Sequence, residues 1–184
     1  MIYTTTYESP IGKLFLAARD GALIGLWIQG QKYFPEKLFS KPEGVTDSAG
    51  KDCGILARTE VWLDQYFAGD RTDPGRLKFV PGTAPGILSP CSEFRQQVWK
   101  LLLEIPYGEV LTYGELGRRL AGRRGINSMS AQAVGGAVGH NPLSIIIPCH
   151  RVVGADGSLT GYAGGVEKKR WLLKLEGALE EQVK

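Results

Sequence analysis

The sequence predicts an α+β protein with two domains in succession, and three observations support this class. The first thirty residues alternate between apolar and polar side chains and contain turn signals, which is typical of a small antiparallel sheet. Residues 81–90 contain three prolines and two glycines, the composition of a linker. After residue 91, apolar residues recur at helical spacing. We therefore predict an N-terminal scaffold domain over residues 1–80 and a mainly helical functional domain over residues 91–184.

Composition narrows the class of protein. The 184 residues are 43% hydrophobic and 22% charged, as in ordinary globular proteins. No apolar stretch reaches membrane-spanning length, and the N-terminus lacks the features of a signal peptide, so we expect a cytoplasmic protein that does not bind membranes. Three well-separated cysteines and two histidines provide neither a disulfide framework nor an obvious zinc site. We expect no metal and no cofactor.

The first domain should begin as a meander of three strands. We predict them at Ile2–Tyr7, Lys13–Ala18 and Ala22–Ile28, with Asp20-Gly21 as a tight hairpin turn. Residues 30–52 are mixed and polar, which predicts a loop that includes at most a short helix. A helix should then run from Ile55 to Phe67 and end before Gly69, followed by a short strand over Leu77–Val80.

The second domain should contain four helices. The first begins at a serine cap, Ser89 or Ser92, and stops before Pro106. Thr112 and Glu115 have the spacing of a capping box, which predicts a helix over Tyr113–Ala121. A further helix over Ser128–His140 would complete a helix-turn-helix candidate, and the last helix covers Val166–Glu176. Between them, Asp156-Gly157 indicates a hairpin or wing.

The helix predicted over Ser128–His140 has a stripe with almost no side chains. Ala131, Gly135 and Gly139 are four residues apart, and Gly136 lies on the adjacent row. A glycine inside a helix costs about 1 kcal/mol relative to alanine, so close approach of another backbone is the usual reason for keeping it. The neighbour is either a groove of DNA or another helix, and the sequence favours neither.

Cys149 is the strongest candidate for a reactive residue. The apolar run Ile145–Ile147 predicts a buried strand that Pro148 ends, which places the cysteine where the chain turns. A cysteine attacks as the thiolate and needs a base, for which His150 is the obvious candidate. Successive side chains of a strand face opposite ways, so either the chain turns sharply at Cys149 or a water connects the two groups. Glu176 is a candidate to orient the base.

The second half resembles the O6-alkylguanine-DNA alkyltransferases, also called methylated-DNA–protein-cysteine methyltransferases. The resemblance covers about residues 90–177, with the motif Pro148-Cys149-His150-Arg151 at its centre. Separated matching segments occur in the right order at 94–99, 105–110, 133–137 and 161–165. The resemblance implies a ribonuclease H-like first domain and a winged helix-turn-helix-type second domain.

The resemblance also implies a reaction and the residues that perform it. Cys149 would take an alkyl group irreversibly from O6 of guanine in DNA, once per molecule, and activity on O4 of thymine stays open. Tyr113 would protonate the departing guanine, and Asn141 would hold the turn that carries the cysteine. The implied catalytic residues are Cys149, His150, Glu176, Asn141 and Tyr113. The implied substrate-binding residues are Tyr113, Val152, Tyr162, Ala163 and Cys149 itself.

The implied partner is double-stranded DNA that contains O6-alkylguanine, with the target nucleotide flipped out through the minor groove. Family members commonly carry an arginine on the recognition helix, where this chain has Gln132. Glutamine can fill the same space but adds no cationic attraction. The expected DNA contacts are Gln132, Ala131, Gly135, Gly136, Arg151, Arg118, Arg119, Arg123 and Arg124. The last four residues also suit a solvated helix end, and charge alone does not separate the two interpretations.

Two other functions are compatible with parts of the sequence. A protein that binds alkylated bases without reacting would need no cysteine, so Cys149 argues against it. A cysteine hydrolase would need a base from a distant segment and an oxyanion hole, for which no pattern is evident. We expect a monomer in solution, and the sequence leaves cooperative assembly on DNA open.

Overall fold

A computed structural model describes residues 1–40, 43–47, 54–80 and 92–179 of the chain. These residues form two compact units. The first unit contains the described residues up to 80 together with residues 142–146, and the second contains residues 92–141 and the described residues from 147 onward. The predicted linker, residues 81–90, lies outside the described residues.

The first unit is built on a four-stranded sheet with the strand order β3-β2-β1-β4. Strands β1 (Ile2–Ser9), β2 (Gly12–Arg19) and β3 (Ala22–Ile28) form an antiparallel meander, and β4 (Val45–Asp47) runs parallel to β1. The predicted turn at Asp20-Gly21 is confirmed, because both residues have positive φ, 51° and 70°, as a type I′ turn requires.

Helices of the first unit follow the sequence pattern closely. A short helix, α1, covers Glu36–Phe39, within the segment predicted to be mainly loop. The longer α2 (Gly54–Phe67) packs against β1, β2 and β3 through a face that includes the buried Leu56, Thr59 and Leu63. The strand predicted over Leu77–Val80 is reduced to a single bridge between Phe79 and Leu23.

The apolar segment before Cys149 is not the strand that the sequence predicts. Residues 142–146 belong to the first unit, where the carbonyl of Pro142 and the amide of Ser144 hydrogen-bond to Leu26 of β3 at 2.8 and 2.9 Å. Only Leu143 forms a bridge, and Ile145 has a φ of 73°. A β-branched residue at positive φ is strained and cannot continue a strand, so the buried isoleucines are held in turns.

Three helices form the body of the second unit: α3 (Glu93–Leu102), α4 (Tyr113–Arg124) and α5 (Ala131–Gly139). Each of them packs against the other two, which gives the predicted helix-turn-helix arrangement of α4 and α5. Side chains cap their N-termini: Ser92 accepts from the Arg95 amide, and Thr112 and Glu115 form the predicted capping box.

Cap residues account for two differences in helix length. Helix α5 begins at Ala131 and not at Ser128, because the Ser130 side chain accepts a hydrogen bond from the amide of Ala133 and acts as the N-cap. Helix α4 continues past Ala121 to Arg124, where Gly125 ends it in the left-handed conformation at φ 65°.

The rest of the second unit positions the chain around Cys149. Strand β5 (Leu111–Thr112) pairs in parallel with β6 (Val152–Val153). Asp156-Gly157, predicted as part of a hairpin or wing, lies in a turn after β6 in which the Gly157 amide donates to the Gly154 carbonyl at 2.9 Å. Helix α6 (Val166–Leu175) follows. The predicted α+β class is confirmed. Across the described ranges, every helix is too short or too polar to cross a bilayer.

Candidate active site

The chain turns sharply at Cys149, which was one of the two alternatives left open by the sequence. Residues Cys149–Arg151 form a single 3₁₀ turn directly after Pro148, and the Cys149 amide donates to the Ile147 carbonyl at 2.8 Å. Cys149 and His150 are both buried, at 4% and 0% exposure. A 3₁₀ turn spaces successive side chains about 120° apart, so the adjacency of these two residues in the sequence does not by itself bring the thiol and the imidazole together.

Asn141 binds both the turn and the sulfur. Its Nδ2 donates to the carbonyl of Ile147 at 2.7 Å and to Sγ of Cys149 at 3.1 Å. The side chain is buried, so these contacts are shielded from water. A donor aimed at sulfur stabilises the thiolate more than the thiol, which gives Asn141 an electrostatic effect beyond its predicted role of holding the turn.

Glu176 lies beside His150, as predicted. Its Oε1 is 2.7 Å from Nε2 of His150, and both side chains are fully buried. Burial by itself raises the pKa of Glu176, but hydrogen bonds and charge from His150 and Arg151 outweigh it and hold this pKa far below the usual range of a glutamic acid. Because an ionised carboxylate can only accept, Nε2 carries the proton, and Nδ1 is the nitrogen able to act as a base.

The ionisation of the thiol is opposed by its surroundings. Burial raises the pKa of Cys149, while the hydrogen bond from Asn141 and the charge of Lys169 act to lower it. Burial also lowers the pKa of His150, so the imidazole is neutral near pH 7. The resting pair is therefore a thiol and a neutral imidazole, and attack requires proton transfer away from sulfur.

Lys169 is a buried residue near Cys149 that sequence reasoning did not identify as part of the site. Its Nζ donates to the carbonyls of Val152 and Thr160 at 2.5 and 2.8 Å. Burial lowers the pKa of Lys169 to about 8, against the opposing influence of Cys149. The available signal was its place in α6, because residue 169 is three and four positions before the core residues Leu172 and Leu173.

Tyr113 faces the loop that follows Thr160. Its hydroxyl lies 3.4 Å from each of the carbonyls of Thr160 and Gly161. Burial raises the pKa of Tyr113 to about 12, with a smaller contribution from Cys149, so the hydroxyl keeps its proton at neutral pH. Gly161 has a φ of 77°, and a Cβ there would lie 2.6 Å from the Tyr113 hydroxyl. Glycine at this position therefore makes room for the tyrosine.

The other predicted substrate contacts lie along the same segment of chain. Val152 and Tyr162 are buried, and Ala163 is partly buried. The Val152 carbonyl already accepts from Lys169, but a carbonyl oxygen has two lone pairs and can accept a second donor.

Two glycines of α5, Gly135 and Gly136, have no close neighbour among the described residues. Apart from the backbone of α5 itself, a Cβ added at Gly135 or Gly136 would meet no atom of the described chain within 4 Å. Ala131 and Gln132 are exposed at the N-terminal end of the same helix. Packing against a neighbouring helix therefore does not explain these two glycines, and of the two alternatives left open by the sequence the structure favours an external partner.

The four clustered arginines differ in their surroundings. Arg118 and Arg119 are exposed on α4. Arg123 forms an exposed ion pair with Glu104 at 2.6 Å. Arg124 donates to Gln97 at 2.8 Å, and its guanidinium lies 5.8 Å from the ring centroid of Phe94.

Arg151, which is among the expected DNA contacts, is directed into the protein. The side chain is buried, with its Nε 2.8 Å from Oε2 of Glu176 and its Nη2 3.0 Å from Oε1. Nη1 donates to the carbonyl of Ile105 at 2.6 Å. The guanidinium is thus directed into the protein, because the 3₁₀ turn points it toward the carboxylate. Within the ranges that the structure covers, no group of three His, Cys, Asp or Glu side chains is placed to hold a metal ion.

Comparison with known families matches both units. Residues 2–79 match the family model described as 6-O-methylguanine DNA methyltransferase, ribonuclease-like domain, and residues 93–178 match the DNA binding domain of the same family.

Curated relatives carry the same description in bacteria and archaea. A methylated-DNA–protein-cysteine methyltransferase of Mycobacterium tuberculosis (strain H37Rv) is 42% identical over 176 residues, which cover 96% of this chain and 93% of the relative. The Methanosarcina acetivorans protein of the same name is 39% identical over 178 residues, covering 96% and 99%.

Solved structures agree with the sequence relatives. The crystal structure of Mycobacterium tuberculosis OGT in complex with DNA has a TM-score of 0.75 and 36% identity, and the match covers 96% of this chain and 93% of that one. An O6-methylguanine DNA methyltransferase from Methanococcus jannaschii has a TM-score of 0.62 and 27% identity, covering 98% and 97%.

Proposed function

Because this chain belongs to the 6-O-methylguanine DNA methyltransferase family, we propose that Cys149 is the residue that accepts the alkyl group from damaged DNA. The protein is a methylated-DNA–protein-cysteine methyltransferase and acts in DNA repair by direct reversal. The observation that supports Cys149 is its environment: a buried sulfur that accepts a hydrogen bond from Asn141 beside a His150–Glu176 pair.

The transfer is a substitution at carbon. The Cys149 proton moves to Nδ1 of His150, directly or through a water, and the resulting thiolate attacks the alkyl carbon. The bond between that carbon and guanine O6 breaks, and its electron pair stays with the guanine. The product on the protein is an uncharged thioether. No group in the site regenerates the thiol, so each molecule reacts once.

The guanine leaves more readily when it is protonated as it departs. We assign this role to the Tyr113 hydroxyl, which keeps its proton at neutral pH because its pKa is raised to about 12. The carbonyls of Thr160 and Gly161 lie within 3.4 Å of that hydroxyl and orient it. Carbonyls of Cys149 and Val152 would accept from the guanine amino group, and amides near Tyr162 and Ala163 would donate to O6.

The partner is duplex DNA that contains O6-alkylguanine. Cys149 is buried and the target atom lies inside the base stack, so the nucleotide must leave the helix to react. The minor groove is only about 6 Å wide, which suits the bare face of α5 around Gly135 and Gly136. Gln132 at the exposed end of α5 would fill the gap left by the flipped base. Arg118 and Arg119 are exposed and would contact phosphates.

Several features of the protein in the cell follow from this proposal. Repair of one damaged base needs one sulfur, so a monomer is sufficient, and the first unit serves as a scaffold. We place the protein in the cytoplasm, where thiols stay reduced. The reaction requires neither a cofactor nor a metal.

Mass spectrometry after mixing with a duplex that contains O6-methylguanine tests the assignment. We expect the mass of one CH2 group on the peptide that contains Cys149, with no further product after one equivalent. Cys149→Ala should take up nothing while still binding DNA, and Cys91→Ala should react like the unaltered protein. An unmodified Cys149 would disprove the assignment and favour a protein that binds without reacting, whereas repeated product release would indicate a hydrolase.

A further inference from the structure

The role of the inward-facing Arg151 is not explained by the reaction described above. Its guanidinium forms two parallel hydrogen bonds to the Glu176 carboxylate, and a third to the Ile105 carbonyl. The ring of Tyr107 lies 5.7 Å from the guanidinium carbon. This planar group is therefore held by a carboxylate, a backbone carbonyl and an aromatic ring, a geometry that lysine does not reproduce.

The Glu176 carboxylate has all of its hydrogen-bonding positions occupied. Oε1 accepts from Nε2 of His150 at 2.7 Å and from Nη2 of Arg151 at 3.0 Å. Oε2 accepts from Nε of Arg151 at 2.8 Å and from the amide of Gly108 at 3.3 Å. Two carboxylate oxygens offer about four lone-pair sites. A proton arriving on Glu176 would displace one of these donors and leave Arg151 charged and uncompensated inside the protein.

We propose that Arg151 is a positioning residue that keeps Glu176 ionised throughout the reaction, so that the proton leaving Cys149 comes to rest on His150. The inference rests on the proposed function, since it takes Cys149 as the acceptor. The imidazolium that forms on His150 then lies between the ionised Glu176 and the thiolate, and the net charge of the buried cluster does not change during proton transfer.

The other titratable groups around His150 and Glu176 are consistent with a proton that comes to rest on His150. Lys169 is the second buried cation, and its charge acts on both Cys149 and His150. Burial, with smaller contributions from Cys149 and Glu176, raises the pKa of Tyr162 and keeps its hydroxyl neutral. Among the described groups around His150, Glu176 is therefore the single carboxylate that stabilises the imidazolium. A neutral Glu176 would no longer stabilise the proton on His150.

The test measures the ionisation of Glu176 directly. In protein labelled with ¹³C at glutamate Cδ, the Glu176 signal is identified by its loss in Glu176→Gln and followed between about pH 4 and about pH 11, a range that reaches from below the ordinary histidine pKa to above the ordinary cysteine pKa. We expect the Glu176 signal to keep the chemical shift of an ionised carboxylate throughout this range, even at the pH where Cys149 loses its proton. Movement of this signal as the thiol ionises would overturn the proposal, because the proton would then travel beyond His150.

Substitutions of Arg151 test the cause. In Arg151→Met the Glu176 signal should titrate at a pH well above that of the unaltered protein. The acid side of the pH–rate profile for alkylation of Cys149 by iodoacetamide should likewise shift to higher pH. At the low-pH end of the profile the rate should fall at least tenfold. Peptide mass spectrometry separates Cys149 from the other two thiols. Arg151→Lys should retain an ionised Glu176 and recover part of the rate.

Controls separate this inference from a packing role and from the proposed function. Arg170→Met removes an exposed arginine of α6 that pairs only with Glu167 in the described contacts, and should change neither readout. If Arg151→Met leaves both readouts unchanged, or Arg151→Lys behaves like Arg151→Met, the electrostatic role is wrong. If Arg151→Met does not fold, the titration of Glu176 in the unaltered protein still tests whether this carboxylate stays ionised. Failure to take up a methyl group from DNA would instead refute the proposed function, since the Glu176 titration needs no DNA.

Discussion

At the scale of single residues, the site balances burial against a small number of charges. Burial raises the pKa of Cys149, and the hydrogen bond from Asn141 and the charge of Lys169 act against it. Lys169 is itself held by hydrogen bonds to two carbonyls. A shift of one pKa unit corresponds to about 1.4 kcal/mol, so small displacements of these groups alter the fraction of thiolate several-fold.

Gly161 gives a prediction at this scale. In Gly161→Ala the new Cβ would lie 2.6 Å from the Tyr113 hydroxyl, and alanine is strained at a φ of 77°. We expect at least a tenfold lower rate of methyl transfer from DNA, measured in single-turnover experiments, because the displaced hydroxyl no longer meets the departing guanine.

Gly157→Ala is the matched control. Gly157 has a similar φ of 80°, but a Cβ there would meet no atom of the described residues within 4 Å. The backbone strain should cost both variants comparable stability, of about 1 kcal/mol, while only Gly161→Ala loses transfer activity. Equal transfer rates for the two variants would show that Tyr113 is not placed by this contact.

At the scale of secondary structure elements, α5 combines a disfavoured composition with an exposed bare face. Its N-terminus is capped, since the Ser130 side chain accepts a hydrogen bond from the amide of Ala133. The glycines at 135 and 136 weaken the helix by about 1 kcal/mol each and make no close contact in the described structure. A helix face that lacks side chains despite this loss of stability is best explained by a partner outside the protein with a narrow groove.

Gly136→Leu tests that interpretation. The new side chain projects into open space, so the folded protein should become slightly more stable, by up to about 1 kcal/mol in thermal unfolding. Binding to duplex DNA should weaken at least tenfold, because the leucine blocks entry into a narrow groove. Ala57→Leu, at an exposed position of α2, is the control and should bind DNA normally. Unimpaired DNA binding by Gly136→Leu would mean that α5 does not enter the groove.

At the scale of the whole molecule, the reaction should weaken the fold that performs it. Cys149 is 4% exposed, and its neighbours His150 and Val152 are fully buried. A methyl group added to a packed site typically costs about 1–3 kcal/mol, and each kcal/mol lowers the melting temperature of a protein of this size by about 2–4 °C.

Calorimetry before and after reaction with methylated DNA checks this expectation. The modified protein should unfold several degrees below the unmodified protein. Cys149→Ala taken through the same incubation should show no change, which separates the effect of the thioether from that of the DNA. An unchanged melting temperature with a fully methylated Cys149 would indicate that the site has room for the product.

Sequence by itself determined the features that depend on a few neighbouring residues. Asp20-Gly21 specifies its turn through positive φ values, and Thr112 with Glu115 specifies the start of α4 through reciprocal hydrogen bonds. The motif around Cys149 indicated the family for the same reason, since it is a continuous stretch of chain. The prediction of a strand over Ile145–Ile147 is wrong because an apolar run reports burial, which turns share with strands.

Only the tertiary structure decided how distant side chains meet. Glu176 reaches His150 across 26 residues, and the same carboxylate binds Arg151, which sequence patterns had assigned to DNA. Lys169 becomes a buried cation because α6 directs it toward the carbonyls of Val152 and Thr160. Such pairings depend on the packing of separate elements, and the direction of an arginine or lysine side chain is set by the partners that packing provides.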